Sequence, residues 1–460
     1  MDNYDIAVIG GGPAGYVAAI KGAQLGGHVV LFEKDTVGGT CLNRGCIPTK
    51  TFLKGAEIIH TIQMAGNYGI ENDSSFSVDM GKAVENKNHI VKQLTSGVAA
   101  LLKSNAVDVC YGEAVLVDEH TIECGNKLYK AENILLCGGS KTNKIPIPGI
   151  ENANVLTSDE ILDITELPKR LAIIGGGVIG CEIGAAFAYY GSKVTMIEAE
   201  ERLLPFMDKD ISAALEETFG KLGIEIHTST KVESISAEKG CRVICNGGTT
   251  VEADKVLISI GRKPDLNCLG ILKNRIQQER GFVAADEYMR TNIPNIYAAG
   301  DITGKSMLAH SAFKMGETAA RNAMGGNEKC LLKTVPSCVY TLPECASVGL
   351  TEQKVKEIYG SEEIAIGKFP FRANGRSLAS GTPEGFVKVI VHKQYNEILG
   401  VHIFGFSAAE MISEATSLMC AEIPADEAAE IIHAHPTFSE AFMEACADAL
   451  NVSVHLPKKK

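Results

Sequence analysis

The chain has 460 residues, 45% of them hydrophobic and 22% charged, so two to four globular domains are expected. A net charge of −12 disfavours nucleic acid or an anionic membrane as a partner, because both require a basic face. Without about 18 consecutive apolar residues or a targeting signal, and with 14 scattered cysteines, the sequence predicts a cytoplasmic protein with free thiols and no membrane span.

The N-terminal residues carry a nucleotide-binding pattern. A short apolar strand runs into Gly10, Gly12 and Gly15, which fit G-x-G-x-x-G, and an Ala-rich helix follows. The first glycine allows a tight turn, the second lets the backbone approach a pyrophosphate, and the third lets helix and strand pack closely. The next strand ends at Glu33, which is placed to accept hydrogen bonds from a ribose.

The same pattern returns later with the same internal spacing. Gly175, Gly177 and Gly180 form the second glycine-rich turn, and Glu198 ends the strand that follows. One such motif is weak evidence, but two copies with the acid at the same distance predict two dinucleotide sites. The charge of Glu198 would repel a 2′-phosphate and so favours NAD over NADP, although the nearby Arg202 partly offsets this.

Two cysteines, Cys41 and Cys46, follow the first nucleotide motif. Gly38 and Gly39 predict a turn, after which a helical run opens near the cysteines. A helix N-terminus stabilises a thiolate, and in a reducing compartment a disulfide tends to cycle rather than to cross-link permanently. The spacing alone fits two buried thiols, but beside a redox cofactor the pair can pass two electrons to or from an outside thiol. No Cys-x-x-Cys array predicts a metal site.

The C-terminal segment 433–440 contains two histidines that flank an alanine, then a proline, a threonine and Glu440. A dithiol is mostly protonated at neutral pH, so thiol–disulfide exchange needs a base with a pKa near the working pH. A glutamate near a helix start can turn back onto an imidazole and hold its tautomer. The spacing is therefore compatible with a histidine–glutamate acid–base pair, although taken alone it favours structural side chains.

The run from Gly38 to Lys50 resembles the active-site helix of the flavoprotein disulfide reductases, and among them it is most similar to the dihydrolipoamide dehydrogenase family. The likeness covers essentially the full length, including both dinucleotide motifs and the segments 296–301, 341–349 and 433–437. The cysteine run and the His-Pro segment are specific to these enzymes, whereas the glycine motifs are widespread.

The resemblance implies FAD at the first nucleotide site and NAD at the second. Asp301 matches the acid that holds the ribityl and pyrophosphate region of FAD, and Lys50 and Glu182 match a buried ion pair near the flavin N5. The remaining expected cofactor contacts are Gly112, Gly261 and Ala309.

The resemblance also implies the catalytic roles. Cys46 matches the flavin-side sulfur and Cys41 the sulfur that exchanges with substrate, while His435 acts as the base and Glu440 orients it. His433 is expected to be structural. The peptide bond between His435 and Pro436 is expected to be cis. In this family the histidine–glutamate pair comes from the other subunit of a homodimer. The expected reaction is NAD-linked oxidation of a dihydrolipoyl group on a lipoyl-carrier protein or lipoyl domain of a 2-oxo acid dehydrogenase or related complex.

Two alternatives remain. Another FAD-dependent disulfide reductase is the nearer one, but glutathione reductases carry arginines where this chain has Glu198 and Leu204. A non-catalytic flavoprotein subunit is disfavoured because both cysteines, the histidine and the glutamate are present. One departure from the family stands out, since Cys137 and Gly138 replace the usual Ala-Thr before Gly-Ser. The small residues should preserve the turn, while the threonine hydrogen bond is lost.

The predicted fold class is α/β, with two Rossmann-like dinucleotide-binding domains and an α+β C-terminal dimerisation domain. We expect residues 1–145 to begin the FAD domain, 146–270 to form the NAD domain, 271–335 to complete the FAD domain, and 336–460 to form the dimerisation domain. The basic end, Lys458 to Lys460, is predicted to be a solvated tail.

Overall fold

The computed structural model describes residues 3–71, 76–236 and 240–458; Lys459 and Lys460 of the predicted tail lie outside these ranges. The first 145 residues form β1 (Asn3–Ile9), α1 (Pro13–Gln24), β2 (Val29–Glu33), α2 (Gly39–Arg44), α3 (Cys46–Met64), α4 (Met80–Ser104), β3 (Asp108–Tyr111), β4 (Ala114–Leu116), β5 (Thr121–Cys124), β6 (Lys127–Leu136) and β7 (Ser140–Thr142). The strands β3-β2-β1-β6 are parallel, and β5 and β4 continue the sheet in antiparallel fashion. This is the sheet of the first nucleotide-binding domain.

A second parallel sheet follows. Its region contains β8 (Val155–Leu156), α5 (Ser158–Ile161), β9 (Arg170–Ile174), α6 (Val178–Tyr190), β10 (Lys193–Ile197), α7 (Lys209–Lys221), β11 (Glu225–His227), β12 (Val232–Ser236), β13 (Cys241–Cys245), β14 (Thr250–Ala253), β15 (Lys255–Ile258) and β16 (Arg262–Pro264). The parallel order is β11-β10-β9-β15-β8, and the antiparallel β12-β13-β14 sheet packs against it. β16 then pairs with β7 and so connects the two nucleotide-binding domains.

The chain next returns to the first domain. The segment forms β17 (Gln278–Glu279), β18 (Phe282–Val283), β19 (Ile296–Ala298) and α8 (Ala309–Ala323). β19 joins the first sheet through β6. Leu269 and Leu272, in a 3₁₀ turn, are buried in one cluster with Leu116 of β4, so the chain is already packed against the first domain at this point.

The C-terminal part is a separate α+β unit. It contains β20 (Ser337–Val339), β21 (Glu344–Gly349), α9 (Glu352–Tyr359), β22 (Ile364–Pro370), α10 (Gly375–Ala379), β23 (Phe386–His392), β24 (Ile398–Gly405), α11 (Ala408–Cys420), α12 (Ala425–Glu430) and α13 (Glu440–Ala449). The strands form one antiparallel sheet in the order β20-β21-β24-β23-β22. α11, α12 and α13 bury their alanine-rich faces against it, which gives the domain its own core.

The helix α1 shows how sequence dictates packing. It begins at Pro13, a residue suited to the first helical position because it has no N–H to leave unsatisfied. A glycine of α8 lets the two helices approach closely, since a Cβ on Gly316 would lie 2.3 Å from the carbonyl oxygen of Ala14. α8 therefore holds the N-terminal end of α1, where the first nucleotide motif lies.

The helices α3 and α6 bring the two nucleotide-binding domains together. The rings of Phe52 and Phe187 stack with centroids 6.4 Å apart, and the Tyr190 hydroxyl donates to the Phe52 carbonyl oxygen (2.9 Å). Gly55 leaves room for this contact, because a Cβ there would lie 2.2 Å from the Tyr190 hydroxyl. The contact fixes the first half of α3 beside the second domain.

The longest described helix is α4, with 25 residues. Asp79 caps it by accepting a hydrogen bond from the Lys82 N–H (3.1 Å). Its buried stripe contains Val84 and Leu102, while charged residues cover the opposite face. Among residues 3–71, 76–236 and 240–458, no helix is both long and apolar enough to cross a bilayer.

A buried charge cluster joins the second nucleotide-binding domain to the C-terminal domain. The side chain of Lys388, on β23, is 2% exposed, and its ammonium lies 2.8 Å from Asp208 and 2.6 Å from Glu352. Asp208 caps α7 and also accepts the Glu352 N–H (2.9 Å). The lysine thus neutralises carboxylates from both domains at their junction.

We predict that Lys388→Met destabilises the protein by about 3–5 kcal/mol, because it leaves the carboxylate of Asp208 buried without its cation. The midpoint of urea unfolding, followed by circular dichroism, measures this. Lys368→Met is the matched control: Lys368 pairs with Asp210 but is 45% exposed, so its loss should cost less than about 1 kcal/mol. Equal destabilisation by the two variants would contradict the prediction.

Candidate active site

Both glycine-rich turns have the same backbone geometry. Gly10 has φ +105° and Gly175 has φ +110°, a region that glycine adopts without strain. A Cβ on Gly15 would lie 1.7 Å from the Gly10 carbonyl oxygen, and one on Gly180 would lie 2.1 Å from that of Gly175. The first and third glycines of each motif are therefore required by the turn and by close helix–strand packing.

The second glycine of each turn faces free space. A Cβ on Gly177 would meet no atom within 4 Å, and one on Gly12 would meet the Cα of Gly39 at 3.7 Å. The chain's own packing thus does not require glycine at these positions. Each lies at the N-terminal end of a helix, where backbone N–H groups attract phosphates, so the space suits a pyrophosphate.

The two acids that end the second strand of each motif occupy equivalent positions. The Gly11 N–H donates to Glu33 (2.8 Å), and the Gly176 N–H donates to Glu198 in the same way. Both glutamates are buried. A carboxylate oxygen can accept more than one hydrogen bond, so each acid can hold its own turn and still accept from a ribose hydroxyl.

The cysteine pair lies across the junction of α2 and α3. Cys41 belongs to α2 and is half-buried; Cys46 is the first residue of α3 and is exposed. The two thiols interact with each other, and this interaction, with the Lys50 ammonium, lowers the pKa of Cys46 to about 7. The same interaction, together with burial and the negative charge of Cys46, raises the pKa of Cys41.

A glycine–glycine contact sets the cysteine helices against the first nucleotide turn. Gly38 and Gly39 both have positive φ, +102° and +57°. A Cβ on Gly39 would lie 2.6 Å from the Cα of Gly12, so no other residue fits there without a backbone shift. The helix that carries Cys41 therefore begins directly beside the first glycine-rich turn.

Lys50 and Glu182 form a close ion pair between α3 and α6. The Lys50 ammonium lies 2.8 Å from each carboxylate oxygen of Glu182, whose side chain is 4% exposed. Lys50 is four residues after Cys46, so both lie on the same face of α3. The positive charge therefore acts on the Cys46 sulfur. A third residue, Tyr340, which the sequence did not single out, contacts both members of this pair.

His435 and Glu440 form the predicted pair near the start of α13. His435 Nδ1 lies 2.8 Å from Glu440 Oε1, and the Thr437 N–H donates to Glu440 Oε2 (2.8 Å). Burial opposes ionisation, yet Thr437 and His435 hold the pKa of Glu440 below its ordinary value. The His435 side chain is 78% exposed, and the following peptide bond is cis. The imidazole is thus oriented by Glu440 and presented to the outside.

His433 is engaged within its own domain. Its Nε2 lies 2.6 Å from Glu414, its Nδ1 lies 2.8 Å from the Ile431 carbonyl oxygen, and its side chain is 7% exposed. The hydrogen bond to Glu414, against the opposing effect of burial, raises the pKa of His433. These contacts fit a structural residue that supports the segment before His435.

The structure brings Cys41, Cys46, Lys50 and Glu182 together in one group and His435 with Glu440 in another. Among the described side chains, no hydrogen bond or ion pair joins the two groups. Within the part of the chain that the structure describes, no three His, Cys, Asp or Glu side chains are placed to hold a metal ion.

Comparison with known proteins identifies the family. Residues 4–316 match the model for pyridine nucleotide-disulphide oxidoreductases, and residues 335–446 match the dimerisation domain of that family. The chain belongs to the pyridine nucleotide-disulphide oxidoreductase family. The predicted fold class and resemblance are thereby confirmed, as are the expected cofactors of this FAD-dependent disulfide oxidoreductase, FAD and NAD.

Individual members of the family are similar over nearly their whole length. The chain is 39% identical to a dihydrolipoyl dehydrogenase of Bacillus subtilis, covering 98% of this chain and 99% of the relative. It is 39% identical to one of Geobacillus stearothermophilus, covering 98% and 97%. Among solved structures, the flavoprotein disulfide reductase RclA from Escherichia coli matches with a TM-score of 0.87 at 30% identity, covering 96% and 99%. LpdA from Mycobacterium tuberculosis matches with a TM-score of 0.89 at 27% identity, covering 97% and 99%.

Asp301 lies in a chain of hydrogen bonds that sequence reasoning missed. The Ser140 hydroxyl donates to Asp301 (2.6 Å), and the Arg262 guanidinium donates to the Ser140 hydroxyl (2.8 Å). Ser140 and Arg262 belong to the β7–β16 connection between the domains. Asp301 is thereby held at the end of the first sheet. Ser140 was visible as the last residue of the Gly-Ser motif, whereas nothing in the sequence marked Arg262.

The remaining expected cofactor contacts fall in two places. The Gly112 N–H donates to the Glu33 carbonyl oxygen (2.8 Å), which sets Gly112 beside the first acid. Ala309 is the first residue of α8, the helix packed on α1. Gly261, with φ +96°, precedes β16 on the connection between the domains. The first two therefore border the first nucleotide-binding region.

The departure from the family at Cys137 and Gly138 has a packing reason. Cys137 is buried, and its N–H donates to the Ile9 carbonyl oxygen (2.8 Å), so the turn after β6 is intact. A Cβ on Gly138 would lie 3.0 Å from both the Asp265 carbonyl oxygen and the Cys268 sulfur. A threonine would require this segment to move, so glycine here accompanies a closer approach of residues 265–268.

Proposed function

We propose that this chain is a dihydrolipoyl dehydrogenase, which oxidises dihydrolipoyl groups to the lipoyl disulfide with NAD⁺ as the final acceptor. The observation that carries the proposal is the Cys41–Cys46 pair at the junction of α2 and α3, next to the first nucleotide turn and near the charge of Lys50. The oriented His435–Glu440 pair supplies the base that thiol chemistry requires. The relatives at 39% identity support the choice of substrate.

The chemistry is two successive thiol–disulfide exchanges that start from the oxidised cysteine pair. His435 accepts the proton of one substrate thiol, and the resulting thiolate attacks the Cys41 sulfur. The Cys41–Cys46 bond breaks, and Cys46 leaves as a thiolate. The second substrate sulfur then attacks the mixed disulfide, which releases the lipoyl disulfide and leaves Cys41 reduced. Two electrons have moved from the substrate dithiol to the cysteine pair.

The electrostatics of the pair suit this order of events. A thiol of lower pKa is the better leaving group, and Cys46 has the lower pKa of the two. The Lys50 ammonium stabilises the departing thiolate, while Glu182 keeps the lysine in place. When bound, FAD would accept two electrons from the cysteine pair and so restore the disulfide, and NAD⁺ would be the final hydride acceptor.

A homodimer completes the proposed site. Within one chain the cysteine pair and His435 lie in different domains, and His435 points outward from the domain that matches the family's dimerisation domain. We infer that His435 of the partner subunit faces the Cys41–Cys46 pair. Each active site then needs both chains.

Cofactor choice distinguishes the proposal from glutathione reduction with NADPH. Glu198 is buried at the second nucleotide turn, where its charge opposes a 2′-phosphate. One N–H group of the Arg202 guanidinium donates to the Pro205 carbonyl oxygen (2.8 Å), which holds this end of the side chain at its own loop. At position 204, where glutathione reductases have an arginine, this chain has a leucine that is buried in the core. These features support NAD.

The proposed partner is a lipoyl group carried on another protein, and the proposed location is the cytoplasm. The 14 cysteines are scattered along the sequence without the spacing of a disulfide framework, which accords with a reducing compartment.

Initial rates with dihydrolipoamide and with glutathione disulfide, each with both nicotinamide cofactors, test the proposal. Dihydrolipoamide with NAD⁺ should be fastest, and kcat/KM should fall by about 100-fold with NADP⁺ because the Glu198 carboxylate repels the extra phosphate. Faster reduction of glutathione disulfide by NADPH would contradict the proposal. Flavin bound without turnover of either substrate would favour the non-catalytic alternative.

A further inference from the structure

Tyr340 contacts both members of the Lys50–Glu182 ion pair. It follows β20 directly, and its ring lies over the Lys50 ammonium, with the centroid 4.4 Å from Nζ. Its backbone N–H donates to Glu182 Oε1 (2.9 Å). The C-terminal domain therefore adds a third partner to a pair that otherwise joins the two nucleotide-binding domains.

The ring and the carboxylate both contact the ammonium. Glu182 is held beside Lys50, because it is buried and its Oε1 also accepts the Tyr340 N–H. The ring face is negative, and a cation within about 6 Å of its centroid is attracted to it. Burial raises the pKa of Tyr340 to about 12, so at neutral pH the ring carries an uncharged hydroxyl. The Lys50 side chain is thereby restricted to one position.

The restriction matters because of what Lys50 does to Cys46. The two residues are one helical turn apart on α3, and the ammonium favours the Cys46 thiolate. If the ammonium could swing toward solvent, which reaches 32% of the Lys50 side chain, its effect on the sulfur would weaken. The ring, as a second contact beside Glu182, opposes this movement.

We propose that Tyr340 is a positioning residue whose aromatic ring holds the Lys50 ammonium where it stabilises the Cys46 thiolate. The inference rests on the proposed function only in that Cys46 is the sulfur nearest the flavin. The backbone hydrogen bond to Glu182 does not depend on the side chain, so substitutions at this position isolate the contribution of the ring.

The test is a pH titration of the FAD-bound enzyme in a Cys41→Ser background, where Cys46 is the remaining thiol of the pair. The absorbance of the long-wavelength thiolate–flavin band reports the Cys46 thiolate directly. Tyr340→Leu should shift the midpoint upward by about half a pH unit, whereas Tyr340→Phe, which keeps the ring, should leave it unchanged. Tyr288→Leu is the matched control, because it removes a ring from the remote cations Arg290 and Lys329.

If the Tyr340→Leu variant does not fold, a second pair of variants tests the same proposal. Phenylalanine and trifluorophenylalanine at position 340 have nearly the same shape, but fluorine weakens the negative ring face, so the midpoint should rise with fluorination. Equal midpoints for these two, or equal shifts for Tyr340→Leu and Tyr340→Phe, would overturn the proposal. The titration uses neither dithiol substrate nor nicotinamide, so its outcome is independent of whether dihydrolipoamide is the substrate.

Discussion

Cys46→Ser is expected to lower the NAD-linked oxidation of dihydrolipoamide by about 10⁴-fold or more, because no disulfide can form with Cys41 and the exchange has no leaving thiolate. The substitution leaves the Lys50–Glu182 pair and both glycine turns unchanged, so the variant should still bind FAD. Stopped-flow or steady-state NADH formation measures the loss, and flavin absorbance measures cofactor content.

The spectrum separates the roles of the two sulfurs. Cys46→Ser should lose the long-wavelength thiolate–flavin band of the reduced enzyme, whereas Cys41→Ser, equally inactive, should keep it. Cys420→Ser is the control, because Cys420 is also exposed but lies at the end of α11 in the C-terminal domain. If Cys41→Ser lost the band and Cys46→Ser kept it, the assignment of the two cysteines would have to be reversed.

The parts of the fold that depend on neighbouring residues were predictable. The turn at Gly10 and its counterpart at Gly175 could be read from sequence because strand, turn and helix adjoin in the chain and each glycine has a local steric reason. The same holds for Glu33 and Glu198, since each ends the strand next to its own turn. Because these residues make their contacts within one βαβ unit, the hydrophobic periodicity and the residue spacing of the sequence are enough to predict those contacts.

Contacts between domains could not be derived in this way. Lys50 and Glu182 are far apart in sequence, and each read alone is a surface charge; only resemblance paired them. Tyr340 was missed because its role depends on three domains meeting at one point, which no local pattern encodes. Lys388 was missed for the same reason: a lysine in an apolar strand is explained only when carboxylates from another domain reach it.

His435→Gln is expected to lower dihydrolipoamide oxidation by about 10²–10⁴-fold, the usual contribution of a general base. Because His435 lies in the C-terminal domain, FAD binding should be unaffected. Glu440→Gln should cause a smaller loss, since the imidazole remains but its orientation is less well fixed. The matched control is His455→Gln, because His455 pairs with Glu444 one turn further along α13 and should be dispensable for turnover.

The same variant tests where the base comes from. Mixing Cys46→Ser and His435→Gln proteins under conditions that exchange subunits should restore about a quarter of the full activity. Half of the randomly formed dimers are mixed, and each mixed dimer has one site with both an intact cysteine pair and an intact histidine from the other chain. If His435 served the cysteine pair of its own chain, every site would lack one of the two groups and mixing would restore nothing. Recovery of activity therefore distinguishes a site shared between subunits from one built within a single chain.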